Sequence, residues 1–97
     1  MRERNDQKLG EVLREFFEQN PVVRQKVLES RTERAWDEVC GPTIMRYTRH
    51  LFLKGSVLNV SLTSAVLRNE LLLSKASLID AINKRVGVAV LTDIQFH

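Results

Sequence analysis

The residue types able to do covalent chemistry are few and scattered. Cys40 is the sole cysteine, His50 and His97 are the histidines, and the other nucleophile candidates are serines. Nucleophilic catalysis needs a hydroxyl or thiol beside a base that a third group orients. Neither histidine stands in a recognisable triad or metal-ligand spacing, and no P-loop, dinucleotide fingerprint, CxxC or HExxH occurs. Cys40 reads as a small buried hydrophobe rather than a nucleophile or ligand. The expectation is a chain that is not an enzyme and that carries no cofactor and no metal.

Charge is the remaining chemistry. The net charge is only +3, but it is unevenly spread. Up to Met45 acids and bases nearly cancel. From Arg46 onward the bases are Arg46, Arg49, Lys54, Arg68, Lys75, Lys84 and Arg85, against Glu70, Asp80 and Asp93. A local excess of this kind gives part of a surface positive potential. Lys and Arg so placed neutralise phosphates and release counterions, which gives affinity for nucleic acid without base specificity. The plainer reading is a solubilising surface, and periodicity does not place these bases on one face. Trp36 offers a stacking platform for a base. Its register with Ala35 and Val39 on an apolar stripe favours a core anchor between helix and sheet instead.

The 97 residues fit one domain, expected over 1–97 with 1–5 disordered. One cysteine cannot form an internal disulfide, and no apolar run has membrane-spanning length, so a cytoplasmic protein without a membrane partner is expected. Asp6 is the expected N-cap of a first helix, in which Leu9, Val12, Leu13, Phe16 and Phe17 keep amphipathic spacing. That spacing predicts that Phe16 and Phe17 belong to the core. Asn20-Pro21 stops this helix and opens another, with Asn20 as N-cap and Pro21 at the first helical position. The second helix breaks near Ser30, where Ser30 and Glu33 have capping-box spacing, or runs unbroken to Cys40. Gly41 stands at the C-cap and Pro42 prevents continuation.

A first strand is predicted from about Arg46 to Leu53. Tyr47, Arg49, Leu51 and Leu53 share one side, and Thr48, His50 and Phe52 the other, without deciding which side is buried. Lys54-Gly55-Ser56 makes a short turn. In the second strand Leu58, Val60 and Leu62 point inward and Asn59, Ser61 and Thr63 outward. Ser64 or Thr63 caps a long helix through Leu67, Leu71, Leu72, Leu78, Ile79, Ile82 and Val86, with a kink or restart near Ser74 and Ser77. Gly87 ends it after Lys84 and Arg85. A last strand points Ile94 and Phe96 inward, Gln95 and His97 outward. The fold class is α+β, in the order α-α-β-β-α-β, with helices packed on one face of a small three-stranded sheet.

The run Trp36-x-x-Val39-x-Gly41, then Thr48 and Leu53, Gly55-x-Val57-Leu58-x-Val60, Ser64-x-x-Leu67-x-x-Glu70-Leu71, Ile82-Asn83, Gly87 and Ile94-x-Phe96 resembles the DciA-like family, also called domain of unknown function 721. Each piece is weak alone; their order and spacing over nearly the whole chain are fairly specific. The resemblance implies a bacterial protein with a fold similar to the K-homology (KH) domain. It implies a DNA-replication accessory module whose partners are the replicative DNA helicase and single-stranded or forked DNA. Departures from the pattern lower the expected DNA affinity. The G-x-x-G clamp of KH domains is missing, since Gly41, Gly55 and Gly87 are isolated. The flexible basic segment of better-known members does not precede His97, and Val66 is aliphatic where relatives often have an aromatic. The alternatives are a protein-interaction module without direct nucleic-acid binding and a KH-like RNA-binding module.

Overall fold

The structure, a computed structural model, describes the backbone of residues 2–97 and the side chains of residues 8–97. In chain order the elements are α1 (Arg2–Gln19), α2 (Pro21–Tyr47), β1 (Thr48–Lys54), β2 (Val57–Leu62), α3 (Ala65–Leu73), α4 (Lys75–Val86) and β3 (Asp93–Phe96). The α+β class and the order of elements agree with the sequence pattern, and the last long helix is split at Ser74. The sheet order is β1-β2-β3; β1 and β2 pair antiparallel, β2 and β3 parallel. A parallel pair needs a long crossover, and α3 with α4 provides it.

Helices α2, α3 and α4 lie on one face of the sheet. Leu53, Leu58, Val60, Leu62 and Ile94 meet Ala35, Trp36, Leu71 and Ile82 in a continuous core, and Phe96 packs beside Trp36 with ring centroids 6.4 Å apart. Trp36 is fully buried, so it anchors α2 on the sheet. In β1, Leu51 and Leu53 face Val60 and Leu58, which makes theirs the buried side.

Several helix boundaries differ from the sequence pattern. α1 begins at Arg2, so Asp6 is not its N-cap; the expected disorder of 1–5 falls on residues whose side chains lie outside the described set. Asn20 does precede α2, but its side chain caps nothing there. Its Nδ2 instead donates back to Phe16 O (2.7 Å) and closes the end of α1. No break occurs at Ser30. Gly41 (φ 81°, ψ 175°) interrupts the helix, and Pro42 opens a further helical stretch to Tyr47. Proline lacks the N–H that a first helical position leaves unbonded, so it starts this turn rather than ending the previous one. Arg46 and Tyr47 are consequently helical, and β1 starts later than expected, at Thr48. Ser64, not Thr63, caps α3, accepting the Leu67 N–H (3.2 Å). Gly87 (φ 93°) is the left-handed cap of α4.

Phe16 and Phe17 are not core residues. α1 packs on α2 and adds no residue to the core. Leu9, Val12, Leu13 and Phe16 are all more than 40 % exposed. The radius of gyration is 15.5 Å, against about 13 Å for a compact chain of this size. α1 does follow the helical period, but amphipathicity says only that one side is apolar, not that the same chain covers it.

Candidate nucleic-acid interface

The seven sequence-derived bases fall into three places. Arg46 lies in the last turn of α2, Arg49 sits where the β1 register shifts between Thr48 and His50, and Arg68 lies near the start of α3. The Thr63 N–H donates to Tyr47 O (2.9 Å). This bond draws the entrance of α3 beside the end of α2, so all three bases belong to one end of the sheet. Arg46 and Arg49 are exposed, Arg68 is half-buried, and none has an ion pair among the described residues.

Lys54 stands at the other end of β1, about 17 Å from Arg49 at 3.3–3.4 Å per residue. It pairs with Val57, which pairs in turn with Asp93. Lys75 binds that Asp93 (3.1 Å). This hydrogen bond, helped by the Ile94 N–H, holds the Asp93 carboxyl below the usual carboxylate range.

The C-terminal turns of α4 form the third place. Lys84 binds Asp80 (2.9 Å), which raises its pKa above the ordinary lysine value. Arg85 pairs with Glu38 of α2. Lys75, Lys84 and Arg85 are thus engaged by the protein's own carboxylates, while Arg46, Arg49, Lys54 and Arg68 have no such partner among the described residues.

Two groupings were not legible in the sequence. Arg31 and Arg34 of α2 border a hollow of about 220 Å³ together with Arg85 and Glu38. The balance of charge before Met45 conceals them, because a helix sorts by face what the linear sequence mixes. The spacing of three between Arg31 and Arg34 is the available signal.

The second grouping lies on the sheet face turned away from the helices. Phe52, Lys54, Val57, Asn59 and Gln95 border an open hollow of about 430 Å³. Phe52 is half exposed. Asn59, expected outward, is on this face but only 9 % exposed. Its Oδ1 is 3.1 Å from His97 Nε2, and its Nδ2 makes a long 3.4 Å bond to Val57 O. Strand alternation places Phe52, Asn59 and Gln95 each on the side away from the core; only the strand order brings them together.

Cys40 is half-buried, and burial, with Asp37 adding to it, pushes its thiol up to about 12. It is a thiol, not a thiolate, at neutral pH. No group of three His, Cys, Asp or Glu side chains able to hold a metal occurs among the described residues. No helix among them is long and apolar enough to cross a membrane.

These features define a small α+β domain with an open sheet face, bases at one sheet end that have no carboxylate partner among the described residues, and an apolar stripe on α1 that is exposed. Residues 8–96 match the family model described as "Dna[CI] antecedent, DciA", and the chain belongs to the DciA family. That membership makes it a helicase-associated replication accessory protein, in a family not known for enzymatic activity. No curated protein matches the chain.

Proposed function

We propose that this domain links the replicative DNA helicase to single-stranded or forked DNA in the bacterial cytoplasm, holding the helicase with α1 and DNA with its unpaired bases. Family membership supplies the helicase as partner. The exposed stripe of Leu9, Val12, Leu13 and Phe16 supports α1 as the contact, since an amphipathic helix with an uncovered apolar side suits a hydrophobic groove on a partner. The DNA reading is supported above all by Arg46, Arg49 and Arg68 lying on elements that the Thr63–Tyr47 backbone bond brings to one sheet end, with no carboxylate partner among the described residues.

Lys54 belongs to the DNA site in this reading. Lys75, Lys84 and Arg85 contribute less, because a phosphate must first displace Asp93, Asp80 or Glu38. The parallel β2–β3 pair joined by two helices fits the KH-like architecture that the family resemblance implies. Without a G-x-x-G clamp, DNA is held by charge and weakly.

Changing Arg46, Arg49 and Lys54 together to Glu tests the DNA site. Fluorescence anisotropy with labelled single-stranded DNA is expected to show binding by the wild type that weakens linearly in log salt. The triple variant is expected to lose that binding while its circular dichroism is unchanged. Equal affinity in the variant rejects the assigned bases, and no binding by the wild type at low salt leaves the protein-interaction reading.

A further inference from the structure

We infer that the open face of the sheet is a base-stacking platform for single-stranded DNA, centred on Phe52. This rests on the DNA-binding reading and adds a site to it that the basic residues do not supply. The register fixes the composition of the face. His50, Phe52 and Lys54 of β1 stand across from Ser61, Asn59 and Val57 of β2, with Gln95 of β3 next to Asn59. Phe52 is half exposed beside a hollow of about 430 Å³, within the usual range of about 300–1,000 Å³ for small-molecule sites.

The chemistry suits a nucleotide in three ways. Phe52 presents an aromatic ring, and every base has a π-face to lay on one. Lys54 has no ion pair among the described residues and flanks the hollow, in place to meet a phosphate. Gln95 is exposed and leaves its amide donor and acceptor for a base edge, while the Asn59 amide beside it is engaged on Oδ1 by His97 Nε2 (3.1 Å) and on Nδ2 only by the long bond to Val57 O. The sole acid in these paired rows, Asp93, is bound to Lys75. The face is therefore complementary to an anion.

The platform is also held in place. Gln25 Nε2 donates to Gly55 O (3.4 Å), and the Thr92 N–H donates to Ser56 O (2.8 Å), tying the hairpin turn to α2 and to the approach of β3. Phe52 is thus presented on a braced strand. A base that stacks there meets a surface that needs little reordering.

The experiment uses Phe52→Trp, Phe52→Ala and Phe52→Tyr, titrated with oligothymidylate and with an abasic oligonucleotide of equal length. Trp36 is fully buried, so the Phe52→Trp variant gains an accessible indole to report on stacking. Oligothymidylate is expected to quench it and the abasic strand to leave it bright. Phe52→Ala is expected to lose about tenfold in affinity for oligothymidylate, and Phe52→Tyr to retain it. Unquenched indole emission from the Phe52→Trp variant with oligothymidylate bound, or equal affinities for Phe52→Ala and wild type, overturns the platform while leaving DNA binding by the bases intact. Failure of the wild type to bind either strand overturns both.

Discussion

The Trp36 indole N–H donates to Thr48 Oγ1 (3.3 Å), and the Thr48 hydroxyl donates to Ile44 O (3.0 Å). One side chain thus joins the core tryptophan of α2 to the first residue of β1, just before the register shift that carries Arg49. Replacing Thr48 with valine keeps the volume and β-branching but leaves a buried indole N–H unpaired. The expected destabilisation is about 1–3 kcal/mol, read as a lower denaturant midpoint with unchanged slope.

The corner at Gly41 depends on backbone conformation. Its φ of 81° with ψ of 175° lies in a region essentially confined to glycine, while nothing crowds the position that a Cβ would take. Gly41→Ala is expected to cost about 1–3 kcal/mol through strain alone. Pro42→Ala is expected to cost much less, because its missing N–H serves no helical bond. Urea unfolding of both variants measures the difference.

The Lys75–Asp93 pair gives a pH signature. Asp93 has a lowered folded-state pKa. The stability it contributes is therefore present above the ordinary carboxylate pKa of about 4 and lost as pH falls through the lowered folded value. Asp93→Asn is expected to be slightly less stable than wild type at pH 7, with the gap closing in strong acid. Unfolding midpoints across that range test the sign.

Cys40 is expected to alkylate slowly. With its thiol pushed up to about 12 by burial and Asp37, little thiolate exists at pH 8. Iodoacetamide labelling followed by mass spectrometry is expected to be slow for the folded protein and fast in denaturant. Fast labelling without denaturant contradicts the burial.

Local chemistry makes much of this fold readable. Leu58, Val60 and Leu62 alternate strictly, Gly87 follows Lys84 and Arg85, and Ser64 stands ahead of Leu67; each signal acts within a few residues. Pro42 is ambiguous because proline both ends one helix and begins the next. The outward residues Phe52, Asn59 and Gln95 are individually legible, but their meeting depends on β3 adding parallel beside β2, a long-range choice. The exposure of Phe16 depends on how α1 leaves α2, which its own periodicity does not encode. The pairing of Arg85 is equally hidden, since Glu38 and Arg85 are 47 positions apart, whereas Lys84 and Asp80 stand at the i,i+4 spacing of one helix.

Sedimentation velocity of this domain mixed with the purified replicative helicase tests the central claim most directly. The wild type is expected to co-sediment with the helicase, and Phe16→Asp, which places a charge in the exposed stripe of α1, to sediment alone while remaining folded. A wild type that does not co-sediment, or a Phe16→Asp variant that does so equally well, contradicts the account.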